Sequence, residues 1–158
     1  LTSGAGDFAT LLSEARHYQQ PLPLLISATR VQGQASLGRD AQRFYLGGRS
    51  NLRGYNRREL SGLQTVLVQQ ELRMPLLRGL VMAFPAPWVF PTVSAAVFAD
   101  AAWAWDGGQP DHLGSVGAGA YIGGGYFPVL RWNFVWQTDD FRTYAHRPRT
   151  QFLIGFNY

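Results

Sequence analysis

The feature that most constrains this chain is a period-two alternation of apolar and polar side chains over segments of roughly 9–14 residues. In residues 129–137, one face carries large apolar side chains and the other carries polar ones: Leu130, Trp132, Phe134 and Trp136 against Arg131, Asn133 and Gln137. The same alternation recurs over residues 63–74, 92–105, 113–126 and 150–158, and less regularly over about 8–18 and 22–33. Because successive side chains of a strand point to opposite faces, this pattern predicts about seven β-strands.

The length and the polar faces of these segments favour a membrane. Soluble strands average about 5–6 residues, whereas a tilted membrane-spanning strand needs about 9–11. The polar faces are rich in Gly, Ser, Asn and Gln and contain few charges, although the solvent face of a soluble sheet is usually charged. We therefore expect an all-β fold, a transmembrane antiparallel up-and-down β-barrel of about 7–8 strands; the alternative is a soluble β-sandwich or lipocalin-like barrel.

The connections are consistent with one domain over residues 1–158, with a long loop at about 36–60. The apolar link at about 77–91 is either an interfacial hairpin anchored by Trp88 and Phe90 or an extension of the flanking strands.

The count of about seven strands leaves open how the barrel closes. Because a barrel has no open edge in lipid, there are three alternatives. The chain is a small barrel with one unrecognised strand, it pairs with a second copy as a homodimer, or it is the C-terminal half of a sixteen-stranded barrel. Its start at Leu1 predicts a processed chain or a piece of a longer one.

Composition argues against several functions. All 14 basic residues are arginine, and they are scattered among the strands, so the net charge of +4 does not predict nucleic-acid binding. The chain has no cysteine and no Gly-x-Ser-x-Gly motif. Its three histidines, His17, His112 and His146, are far apart in sequence. We expect no catalytic residue, no metal site and no cofactor, although a rim site around His112 and His146 is the enzymatic alternative.

The loop sequence FYLGGRSNLRGYNRREL, residues 44–60, combines arginines with glycines and tyrosines. The alternation places Glu71 and Asp100 on inward, polar positions, where a charge is costly unless it is paired. Arg53 offers a rigid fork of donors that matches a carboxylate, and Gly54 permits a close backbone approach. We therefore expect the loop to fold inward and Arg53 to meet these acids. Arg49, Arg57 and Arg58 are expected to be solvated or to contact anionic lipid headgroups.

Five sequence elements in this order resemble the C-terminal barrel region of the BamA/TamA-type outer-membrane assembly-factor superfamily. That group also includes the two-partner secretion transporters and barrels that anchor patatin-like lipases. The elements are FYLGGRSNLRGY, QQELRMPL, VFADAAWAW, GAGAYIGGGYFPVLRWNF and FLIGFNY. The resemblance implies that Arg53, Gly54 and Tyr55 form the tip of an inward-folded loop and that Glu71 and Asp100 are the acidic partners of Arg53.

The resemblance also implies a location and a function. We expect the outer membrane of a Gram-negative bacterium, with outer-membrane lipids, unfolded outer-membrane polypeptides or periplasmic domains as partners. The expected function is to aid insertion or passage of polypeptides there. The alternatives are a stand-alone structural or lipid-binding barrel and the anchor of a patatin-like lipase. The final strand resembles an insertion signal whose alternating side chains are Phe152, Ile154, Phe156 and Tyr158.

Overall fold

The computed structural model describes residues 6–49, 51–78, 81–82, 88–89, 91–124 and 127–155. These residues form strands β1 (Phe8–Leu22), β2 (Leu25–Gly38), β3 (Phe44–Leu46), β4 (Leu60–Gly62), β5 (Gln64–Leu77), β6 (Val81–Met82), β7 (Trp88–Val89), β8 (Thr92–Trp105), β9 (Asp111–Gly124), β10 (Phe127–Thr138) and β11 (Arg149–Gly155). Within these ranges no helix has the length and apolar character needed to cross a membrane.

Seven of the strands form one sheet in the order β1-β2-β5-β8-β9-β10-β11, and each pairs antiparallel with its neighbour. The predicted all-β, antiparallel up-and-down architecture is therefore confirmed. The sheet is not closed, because β1 and β11 occupy its two edges and do not pair with each other in the described part of the chain. The short strands form two separate ladders, β3 with β4 and β6 with β7.

Both early strands are longer than their alternation predicts. β1 extends to Leu22 and β2 begins at Leu25, so only Pro23 and Leu24 connect them. The pairing contains an irregularity between Gln19 and Leu22. Such an irregularity puts one extra residue into a strand and interrupts its alternation, which is why the pattern fades before the strand does.

The register assigns one chemical character to each face of the sheet. Asp100 lies opposite Gln69 on one side and opposite Ser115 on the other, so these three polar side chains share a face. We call this the inner face. On the other, outer face, large apolar side chains remain uncovered: Val97 is 54% exposed, Trp132 51% and Ile154 63%. An uncovered apolar face of this size marks a surface that contacts lipid or another protein rather than water.

The core lies between the inner face and the segment that joins β2 to β5. This segment, residues 39–63, is called the central loop below, and it contains the β3–β4 ladder. Apolar side chains of the loop, of β5 and of β8 pack together in one buried cluster: Leu46, Leu52, Tyr55, Leu60, Leu67, Ala102 and Ala104. Because a single sheet has no second layer to bury it, this loop supplies the only cover that the described inner face has.

The apolar link between β5 and β8 contains a short hairpin. Val81 pairs with Val89, and Met82 pairs with Trp88. The backbone pairing is that of a hairpin separate from the main sheet. Phe90 lies outside the described residues, so its predicted role as an interfacial anchor, with that of Trp88, stays a prediction.

Candidate functional site

The tip of the central loop reaches the inner face at Arg53. Its guanidinium binds Asp100 in a two-pronged arrangement, with Nε donating to Oδ2 at 2.7 Å and Nη2 donating to Oδ1 at 2.6 Å. The backbone N–H of Arg53 also donates to Asp100 Oδ2, at 3.1 Å. Planar forks of this kind are among the strongest charge-assisted contacts in proteins. Three donors from one residue therefore fix the loop tip on the middle of β8.

The third prong of Arg53 binds a second strand. Its Nη1 donates to Glu71 Oε2 at 2.7 Å, so the same guanidinium bridges β5 and β8. Glu71 has two further partners: Arg73 Nη2 donates to Oε1 at 2.6 Å, and the hydroxyl of Tyr121 donates to Oε2 at 3.0 Å. The structure thus brings Arg53, Glu71 and Asp100 into one network.

Burial makes this network electrostatically strong. Arg53 is 7% exposed and Asp100 3%, and the guanidinium carbon lies 3.6 Å from the ring centroid of Phe98. Burial by itself lowers the pKa of Arg53, but the hydrogen bonds and charge of Asp100, together with those of Glu71, outweigh it and raise the pKa above its ordinary value. Arg53 is therefore a permanent cation that needs both acids.

Gly54 lets the loop turn at the point where it contacts the sheet. Its φ of +89° lies in the region that residues with a side chain rarely adopt. A Cβ placed there would lie 2.7 Å from Cγ1 of Val135, a fully buried side chain of β10. Both the backbone angle and the space therefore favour glycine as long as Val135 is present.

Tyr55 attaches the tip to β9 and β10. Its hydroxyl lies 2.8 Å from the carbonyl oxygens of Gly114 and Thr138, either of which can accept its proton. It also accepts the N–H of Thr138 at 3.2 Å. Burial raises the pKa of Tyr55, so the neutral phenol is the form that this site holds. Together, Arg53 and Tyr55 tie the loop to β5, β8, β9 and β10.

Sequence reasoning did not assign a role to Phe98, Tyr121 or Arg73, which complete the network. The signal was present, because the alternation places Phe98 on the same face as Asp100 and Tyr121 on the same face as Ser115. An aromatic residue at an inward position beside an acid predicts contact with whatever binds that acid. The carbonyl partners of Tyr55 carried no such signal, since any residue supplies a carbonyl oxygen.

The remaining predicted residues lie apart from this network. Phe152 and Ile154 are 49% and 63% exposed on the outer face of β11, while Phe156 and Tyr158 lie outside the described residues. His112 stacks on Phe141 at 5.2 Å between ring centroids. In the described ranges, His, Asp and Glu side chains form no group that fits a metal ion.

An antiparallel up-and-down sheet with an apolar outer face and a loop tip ion-paired to its inner face is the arrangement expected of part of a β-barrel wall. The family model described as "Haemolysin secretion/activation protein ShlB/FhaC/HecB" matches residues 17–123, which is more than half of the chain. The chain belongs to this family, which falls within the outer-membrane polypeptide secretion and translocation superfamily. No curated protein and no solved structure shows significant similarity to the chain.

The family match confirms the sequence-based resemblance at the level of the superfamily and names its secretion/activation branch. The features specific to BamA and TamA stay predictions.

Proposed function

We propose that the chain forms part of an outer-membrane barrel wall in a Gram-negative bacterium and helps polypeptides to cross or enter that membrane. The family match supports passage of polypeptides, and the uncovered apolar face supports contact with outer-membrane lipids. In this proposal the chain performs no covalent chemistry. The alternating side chains of the C-terminal segment, Phe152, Ile154, Phe156 and Tyr158, act in this proposal as the insertion signal of the barrel.

The observation that carries the proposal is the bridge from Arg53 to Asp100 and Glu71. We regard the central loop as an internal plug and the bridge as its latch. In the described structure the carboxylate of Asp100 accepts hydrogen bonds from Arg53 alone, whereas Glu71 keeps Arg73 and Tyr121 when Arg53 leaves. When Arg53 leaves, only one buried acid, Asp100, loses all its hydrogen-bond donors. Release of the loop from the wall is therefore costly but attainable.

An engineered disulfide tests whether the plug must move. The chain has no cysteine, so one introduced pair forms a single defined bond. A Cβ at position 54 would lie 3.3 Å from Cβ of Val135, slightly closer than the separation that a disulfide spans. The double variant Gly54→Cys/Val135→Cys is therefore expected to lock the loop to β10 when oxidised.

The measurement is secretion of the extracellular proteins that are lost when the gene is deleted and that reappear when the parent gene is supplied again. We expect the oxidised double variant to fail to restore their secretion and expect a reductant to make it able to do so. The single variants Gly54→Cys and Val135→Cys control for the strain of each substitution. Secretion that persists under oxidation would contradict a moving plug, and an unchanged extracellular set after deletion would contradict the proposed function itself.

A further inference from the structure

Two cavities flank the central loop on the inner face, and several arginines line each of them. The larger cavity, about 1340 Å³, lies between the loop and β11 and has five arginines in its lining. The smaller cavity, about 260 Å³, lies beside Glu71 and extends to β1 and β10, with six arginines in its lining. Arg49 belongs to both linings, so ten of the 14 arginines line one cavity or the other.

Acidic residues are scarce in the linings of both cavities. Glu71 is the only acidic residue among the described residues that line the two cavities, and it already binds Arg53, Arg73 and Tyr121. Glu14, Asp100 and Asp106 bind four of the ten arginines from outside the linings. Ten arginines thus face four acids in all, and the two cavities have an excess of positive charge. A concave surface lined by one sign of charge attracts ligands of the opposite sign more strongly than a flat one.

Several of these donors are available to a ligand. The exposed side chains of Arg49 and Arg57 make no hydrogen bond or ion pair within the described ranges. Arg30 is occupied instead, because its terminal nitrogens donate to Gln69, Glu14 and Gln32. Arg43 provides the contrast, because Asp106 and Ser61 already occupy its guanidinium. Unpaired forks along a passage match carboxylate groups in geometry and charge.

We propose that the two cavities form one arginine-lined passage that binds an extended polypeptide segment rich in acidic side chains. This inference rests on the proposed function, because it names the class of polypeptide that passes. A polypeptide is favoured over an anionic lipid because the arginines lie on the inner face, opposite the apolar surface that contacts lipid. In this proposal the loop arginines without internal partners, Arg49 and Arg57, bind the acidic side chains of the polypeptide.

The test is equilibrium binding of a fluorescent synthetic peptide of alternating Glu and Ser to the purified protein in neutral detergent, followed by anisotropy. A peptide with Gln in place of Glu is the matched ligand. We expect the acidic peptide to bind at least about tenfold more tightly. That preference should disappear as salt rises from about 50 to about 500 mM, because exposed charges are then screened.

Matched charge variants locate the binding surface. Arg49→Gln/Arg57→Gln should weaken binding of the acidic peptide about tenfold. Arg39→Gln/Arg147→Gln removes the same charge from residues that line neither cavity, and it should leave binding within about twofold of the parent. Heat-modifiable migration on a gel verifies that each variant is folded.

Three outcomes would overturn the inference: equal affinity for the Glu and Gln peptides, equal weakening by both double variants, or binding of dioleoylphosphatidylglycerol in mixed micelles without binding of the acidic peptide. The deletion experiment on extracellular proteins is independent of these measurements. A protein that secretes its clients but shows no preference for the acidic peptide would refute this inference alone.

Discussion

Arg53 and Arg57 lie four positions apart in the same loop, yet they occupy opposite environments. Arg53 is buried and donates to two acids, whereas Arg57 is exposed and has no hydrogen-bond partner within the described part of the chain. The residue type is the same, so the difference comes from the acids on the facing wall. A basic loop is thus divided into a tip that holds it and flanks that remain available to a ligand.

The largest expected effect is that of Arg53→Gln. The substitution leaves the buried carboxylate of Asp100 without a cation, and breaking a buried pair in this way costs about 3–5 kcal/mol. Urea unfolding in phospholipid vesicles should show this loss of unfolding free energy. A change below about 1 kcal/mol would mean that burial of Arg53 contributes little to stability and that the comparison with Arg57 fails.

Gly54→Ala should have the second largest effect. The positive φ and the approach to Val135 penalise the new methyl group together, by about 2–3 kcal/mol. Gly108→Ala is the control, because its Cβ would meet open space and its backbone is not strained. The same unfolding assay compares the two variants. Equal stability of both variants would show that the tip tolerates side chains as freely as an open loop.

Tyr55→Phe removes the hydroxyl that binds the backbone of β9 and β10, which should cost about 1–2 kcal/mol. Because the folded pKa of Tyr55 is raised, its stabilisation is complete below the ordinary tyrosine pKa of about 10 and is lost as pH rises through the folded value. The stability difference between parent and variant should therefore shrink above about pH 10. Tyr45→Phe, at an exposed tyrosine, is the control and should cost less than Tyr55→Phe.

Arg57→Gln should have the smallest effect, within about 0.5 kcal/mol, because its side chain is exposed and makes no ion pair with a described residue. The measurement is again the unfolding free energy, now at low and at high salt. A loss comparable to that of Arg53→Gln would show that both arginines anchor the loop.

The sequence was sufficient for the strands and their faces because period-two alternation reports directly on which side chains point together. It placed Glu71 and Asp100 on one face, and the register agrees with that placement. It was insufficient where the chain contacts itself through backbone atoms, as Tyr55 does with Gly114 and Thr138. It also missed the full length of β1, because an irregularity near Gln19 interrupts the alternation.

The relation between Asp106 and the loop shows the same limit. Asp106 follows β8, and it binds the side chain of Arg43 and the N–H of Leu63 at the two ends of the central loop. Nothing in its local sequence distinguishes it from an ordinary turn aspartate. Contacts between residues that are distant along the chain depend on the register of several strands, which no single segment encodes.

The most direct test of the latch is a double-mutant cycle of Arg53→Gln and Asp100→Asn, measured by unfolding free energy. Two residues in direct ionic contact should be coupled, so that the double variant loses about 2–3 kcal/mol less than the sum of the two single losses. The central loop would then be held to the wall by this pair. Single losses that simply add, within about 0.5 kcal/mol, would show that Arg53 and Asp100 do not act together and would contradict the account.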